Sequence, residues 1–234
     1  MRAAVCLKND YRLQFRHGFY YVYALLSALY IIILSSLPEA LSEFLLPLIV
    51  FTDPGFVGFF FIGGIIFLEK EENTLESLFV TPIDLWDYLF SKVISLTTLA
   101  VVTSFIITIA VKGASFQPLL LFIGVVLTSF IFTFLGLVTA SRFDTINKYF
   151  ILSIIFILPL FLPLLDFFDI YKSSLFLLFP TMASLVLICG GVGGEVSAGM
   201  VAYGICSLAL WSFLAAKWAH NWFKKHIILK IGTG

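Results

Sequence analysis

The sequence predicts an all-α membrane protein, a single domain over residues 1–234 with six transmembrane helices. Three observations carry that prediction. Charged residues make up 12% of the chain, about half the roughly 25% of a soluble domain and too few to coat a water-facing globule. Hydrophobic residues make up 61%, with 27 Phe among them, and the mean hydropathy is +1.07. Six apolar runs approach or reach the roughly 20 residues that a membrane helix needs.

In chain order the runs are Phe19–Leu37, Leu45–Leu68, Val93–Val111, Pro118–Ala140, Tyr149–Leu165 and Met200–Ala216. The basic residues ahead of the first run are spread to Arg16, and no clear small-residue cleavage site follows it. The run therefore reads as a permanent span rather than a signal peptide. With the N-terminus inside, twelve of the fourteen Lys and Arg fall on the cytosolic side, and only Lys112 and Lys172 fall outside. That bias predicts a multi-pass protein of the cell membrane with both termini cytosolic. A further apolar stretch, Ser174–Cys189, is short and broken by Pro180. A seventh crossing would carry the basic tail outside, so this stretch is expected to dip in and return as a re-entrant segment before the sixth span. Such a dip needs protein or water around its broken backbone.

Two cytosolic features are not spans. Within residues 1–18, Ala4, Leu7, Tyr11 and Phe15 share one side of a helix, and Lys8, Arg12 and Arg16 share an adjoining side; Cys6 and Leu13 interrupt the pattern. An N-terminal interfacial amphipathic helix is expected, apolar face in lipid and basic face in water. The second feature is residues 69–88, between the second and third spans. Asn73 can cap a short helix there, with Glu76 returning the bond from N3. Leu75, Leu78 and Phe79 give that helix an apolar face. Thr81 then suits an N-cap, Pro82 the first helical position and Asp84 the capping-box position of a restart into the third span. Glu69, Glu71 and Glu72 stand near the C-terminal end of the second span, where negative charge opposes the helix dipole. A basic partner is expected for them, either Arg12 or Arg16 of this chain or a basic groove on another protein.

Residues that carry chemistry are few. Cys6, Cys189 and Cys206 have neither disulfide nor metal spacing. His17, His220 and His226 lack partners at catalytic spacing. Asp166 and Asp169 offer too few oxygen ligands for a metal. No catalytic or metal site is expected. The phosphate loop GxxxxGK[ST] is absent, and the glycine cluster Gly190–Gly194 lacks its lysine and reads as a flexible loop. Asp53 is the only carboxylate well within an apolar run, a functional candidate by default. Counting back from Glu69, it falls near the outer interface, where it would meet a cationic substrate or gate the outer mouth. With Pro54 and Gly55 beside it, an ordinary break at an outer helix end fits as well.

The run Glu69-Lys70-Glu71-Glu72-Asn73-Thr74-Leu75-Glu76-Ser77-Leu78-Phe79-Val80-Thr81-Pro82 resembles the loop after the second span of ABC-2 type transporter permeases. There an acidic pair, Gly-Thr, Glu, an apolar pair and Thr-Pro recur; here Asn73 replaces the Gly, and Asn tolerates the same left-handed turn. The basic N-terminal helix, six spans and the late dip match that family over the whole chain. The opening Lys8–Tyr20 looks like its drug-exporter branch, the fluoroquinolone export permeases.

The resemblance implies a permease subunit of an ATP-binding cassette exporter, moving a drug-like or lipid-like substrate. Two permease subunits, identical or not, would pair, each docked on a separate ATPase subunit that holds ATP and Mg; this chain would need no cofactor of its own. Asn73–Phe79 would be a cytosolic coupling helix. Glu69, Glu71, Glu72, Thr74, Glu76, Leu78 and Phe79 would contribute its contacts with the ATPase, and Thr81 and Pro82 would set its exit angle. Ala3–Arg16 would be the connecting helix. Two other classes compete. A polytopic lipid-modifying enzyme needs clustered catalytic side chains at one membrane face, and none is evident. An ion-coupled carrier needs ionisable groups near the membrane midplane, and Asp53 falls outside that zone by the count from Glu69.

Overall fold

The computed structural model describes residues 2–72 and 84–225. The helices are α1 (Arg2–Arg16), α2 (Phe19–Ser36), α3 (Glu39–Thr52), α4 (Gly58–Glu71), α5 (Leu85–Lys112), α6 (Pro118–Ala140), α7 (Ile146–Ile157), α8 (Leu164–Phe167), α9 (Pro180–Gly191) and α10 (Ala198–Phe223). No strand occurs among the described residues. Five helical stretches are long and apolar enough to cross a membrane: α2, the continuous Glu39–Glu71, α5, α6 and α10.

The second stretch is continuous through Pro54, as the run Leu45–Leu68 implies, and longer at its start. The helix break expected as an alternative at Pro54 does not occur. A five-residue π-helical segment, Asp53–Val57, joins α3 to α4, and Gly58 N–H closes the i→i+5 bond to the Asp53 carbonyl. A wider turn of this kind absorbs the bond that proline cannot make. Asp53 therefore lies inside one 33-residue helix, about 21 Å along it from Glu39 and about 27 Å from Glu71 at 1.5 Å of rise per residue. It is near the middle of the helix, not near its outer end.

The predicted fifth span is shorter than Tyr149–Leu165. Regular α-helix stops at Ile157 and tightens to 3-10 geometry over Leu158–Phe161. Pro159 and Pro163 remove two backbone donors, which accounts for the stop. The restart into α5 also differs. Asp84 has extended backbone and its Oδ1 accepts from Trp86 N at 3.0 Å, so Asp84 is the N-cap itself rather than a capping-box partner inside the helix. The fourth run coincides with α6 at both ends.

Helix α6 forms the centre, packed by α4, α5, α9 and α10. Without a strong hydrophobic drive inside lipid, small residues and side-chain hydroxyls set such contacts. A Cβ on Gly136 would lie 2.6 Å from the Phe59 carbonyl oxygen, so only glycine lets α6 meet α4 this closely. Thr97 bonds Ser129 and Thr128 bonds Ser184, each at 2.8 Å, fixing α5 and α9 to α6. Tyr149 fills the space above Gly63 and donates to the Phe59 carbonyl at 2.6 Å, which seats α7.

The late apolar stretch runs as 3-10 helix over Ser174–Leu178 and then as α9, most of which is buried. Both ends of this part of the chain lie at the end of the bundle where α3 starts: Phe167 stacks on Phe44 at 5.0 Å, and Gln117 N bonds the Gly191 carbonyl. Between those ends, the Leu178 carbonyl accepts from Trp211 Nε1 at 3.1 Å, about halfway along α10.

Candidate functional site

The acidic run begins where α4 ends, and the structure gathers three helices there. Tyr88, Ser91, Lys92 and Ser95 share one face of α5, and Asp10 and Gln14 share one face of α1, in each case at i, i+3 or i+4 spacing. These faces meet the end of α4. Lys92 Nζ lies 2.6 Å from Asp10 Oδ1 and 2.5 Å from Glu69 Oε1, and all three side chains are almost completely buried. Tyr88 OH donates to Glu69 Oε2 at 2.8 Å, Ser91 Oγ to Asp10 Oδ2 at 2.6 Å, and Gln14 Nε2 to Ser95 Oγ at 2.7 Å. The Lys92 ammonium also stands 4.8 Å from the Tyr88 ring centre. One cation thus holds two carboxylates from two other helices, with hydroxyl donors on the remaining oxygens. A buried charge is tolerable only when it is paired and hydrogen-bonded in this manner. Beside the cluster, burial first and then the Asp10 carboxylate raise the Cys6 thiol above its ordinary value, which favours its protonated form.

This changes the reading of α1. The residues that interrupt its apolar pattern are the ones facing the protein: Leu13 is 7% exposed, whereas Phe15 is 61% exposed. Asp10 and Gln14, which a search for apolar periodicity passes over, are its anchors.

The predicted site residues therefore separate. Glu69 is inside the cluster. Glu72 is at the surface, ion-paired with Arg16 and 3.5 Å from His17. That pairing matches one of the in-chain partners expected for the acidic run. Glu71 is exposed, as are Lys8 and Arg12 on α1. Lys70 donates to the carbonyls of Phe143 and Ala140 at 2.8 and 3.4 Å, tying α4 to the end of α6. Asn73, Thr74, Glu76, Leu78, Phe79, Thr81 and Pro82 lie outside the described residues.

Asp53 forms a second polar point, far from the first. It is 1% exposed, and neither carboxylate oxygen has a hydrogen-bond partner within ordinary geometry among the described residues. Tyr23 and Thr103 are its polar neighbours, from α2 and α5, and the Tyr23 hydroxyl also lacks such a partner. No group of three or more His, Cys, Asp or Glu that could hold a metal occurs among the described residues.

A helical bundle with five helices long and apolar enough to cross a membrane defines a multi-pass membrane protein. The model of the fluoroquinolones export permease protein family matches residues 1–231, and the chain belongs to that family. Two relatives are the fluoroquinolones export permease proteins MT2761 and Rv2687c of Mycobacterium tuberculosis, from strains CDC 1551 / Oshkosh and ATCC 25618 / H37Rv. Each is 25% identical over 197 residues, covering 84% of this chain and 83% of the relative. The family agrees with the drug-exporter resemblance of the opening segment, and the chain is a membrane permease for export.

Proposed function

We propose that this chain is the membrane subunit of an ATP-binding cassette exporter that takes fluoroquinolone-like cargo, amphipathic and partly cationic, as its relatives' names suggest. In this reading it crosses the membrane six times, with Ile146–Phe161 as a short fifth crossing and Ser174–Gly191 as a dip from the outer side. It pairs with a second permease subunit, and each docks on a separate ATPase that binds ATP and Mg. The observation that carries the reading is the buried Asp10–Lys92–Glu69 cluster. It makes α1, α4 and α5 one rigid body at the root of the acidic segment. A push on residues 69–82 by a closing ATPase would then reach two long helices at once, rather than be lost in a loose loop. Glu72, held by Arg16, and Glu71 remain at the surface for contact with the ATPase; Asn73, Thr74, Glu76, Leu78 and Phe79 are proposed to contribute to the same contact. Thr81 and Pro82 direct the chain back into the membrane. Asp53 supplies a carboxylate to a cationic group of the cargo when the path opens.

A second reading, an ion-coupled carrier, draws support from one observation, the buried ionisable Asp53 inside a membrane-length helix. Uptake of a fluoroquinolone into inside-out vesicles containing the chain and its associated subunits separates the two. The exporter reading expects uptake that requires hydrolysable ATP and survives collapse of the ion gradients. Uptake driven by an imposed gradient without ATP would replace it with the carrier reading.

A further inference from the structure

Arg142 lies just beyond the end of α6, outside both the Lys92 cluster and the Asp53 site. Its guanidinium sits among three aromatic rings, 4.2 Å from the Trp222 centre and 5.5 Å from those of Phe156 and Trp218. Among the described residues it has no ion pair and its side chain makes no hydrogen bond. Beside it a cavity of about 200 Å³ runs between α6, α7 and α10, from Arg142 at one end to Leu160 and Trp211 at the other. Trp211 and Trp218 are seven residues apart on α10, so this wall spans about 10 Å of depth. Thr139, 6% exposed, is the one other polar side chain on the lining. The mouth opens sideways. Phe156 and Trp218 at its rim are 47% and 46% exposed, and the adjacent face of α7 presents Ile151 and Ile155, each about two-thirds exposed.

We propose that this is a binding site for an anionic phospholipid of the inner leaflet, its phosphate on Arg142 and one acyl chain in the cavity. Three features select that occupant. The opening faces the apolar surface that lipid covers, not an aqueous path. The volume is below the roughly 300–1,000 Å³ of pockets for drug-sized ligands, but it admits part of a flexible chain. A planar guanidinium held against aromatic rings, with no side-chain hydrogen bond among the described residues, matches phosphate geometry. Basic pockets between helices on the cytosolic side are where anionic headgroups bind. Asp53 is not on the cavity lining, and the lipid site does not depend on how transport is driven.

The test is native mass spectrometry of the purified chain released from nanodiscs of equal phosphatidylglycerol and phosphatidylcholine. The parent should retain phosphatidylglycerol in preference. Arg142→Gln should cut that preference about fivefold, as expected for one interfacial basic residue, and Arg142→Lys should cut it less. Leu160→Trp fills the cavity while leaving the guanidinium in place, and should lose the bound lipid as well; this keeps the test open if the Gln variant fails to fold. Equal retention in the parent, Arg142→Gln and Leu160→Trp overturns the proposal. So does a parent whose Arg142-dependent ligand is soluble 2-naphthoate, supplied as a competing aromatic acid, instead of the phospholipid.

Discussion

Lys92 Nζ bonds Asp10 Oδ1 at 2.6 Å across 82 residues of sequence, and so holds the N-terminal helix against the start of the third long helix. Because the pair is buried, removing one member strands the other without water. Lys92→Met should therefore lower stability by about 3–5 kcal/mol, read as an earlier loss of the monodisperse peak after graded heating in mild detergent. Asp10→Asn, which leaves the ammonium with the Glu69 carboxylate, should cost less.

Arg16 and Glu72 form a pair at the surface, their side chains 60% and 35% exposed. Exposed pairs contribute little, so Arg16→Gln should change stability by under about 1 kcal/mol. The consequence should appear in docking instead. Glu72→Lys combined with Glu76→Lys should insert normally yet weaken association with the ATPase. Unchanged association in a pull-down would remove these two residues from the coupling surface.

Asp53 offers an unusual sign. A buried carboxylate whose oxygens make no hydrogen bond of ordinary geometry among the described residues costs the fold free energy, so Asp53→Asn should be at least as stable as the parent. If the carboxylate meets a cationic cargo, the same variant should export that cargo at about one-tenth the rate, the change that loss of roughly 1.4 kcal/mol of interaction brings. Parent-like transport in a well-folded Asp53→Asn protein would end that role.

Tyr149 and Gly63 set the seat of α7. A Cβ on Gly63 would come within 2.0 Å of Tyr149 Cε1, so Gly63→Ala should cost about 1–3 kcal/mol by overpacking. Tyr149→Phe removes only the bond to the Phe59 carbonyl and should cost about 1 kcal/mol. Thermal inactivation of the two variants should rank them in that order.

Legibility in the sequence followed the kind of signal. Apolar length located α6 to the residue, because nothing interrupts Pro118–Ala140, and it found α2 to within one position; it stopped α10 at Ala216, seven residues before the helix ends at Phe223. Proline was harder to read. Pro54 fitted a break as well as a continuous run and is accommodated by a π turn, whereas Pro159 cut the fifth run short. These outcomes depend on whether neighbouring helices satisfy the freed backbone groups, which no local pattern records. The cluster at Lys92 was hidden for a related reason. Periodicity of apolar residues ranks Asp10 and Gln14 as solvent-facing, and a count of basic residues treats Lys92 as one more cytosolic charge. The stripe Tyr88, Ser91, Lys92 and Ser95 at the foot of a span was the available signal, since polar residues repeating on one face of a membrane helix need partners from another helix. Arg16 with Glu72 was within reach because both are exposed, charged and assigned to the same side.

The most direct measurement is purification of the tagged chain from its native membrane in mild detergent, with identification of what accompanies it. The account predicts a second protein in stoichiometric amount that carries a GxxxxGK[ST] phosphate loop, and predicts its partial loss from the Glu72→Lys/Glu76→Lys variant. A well-folded chain that emerges alone, and still moves its cargo in vesicles without ATP, would contradict it.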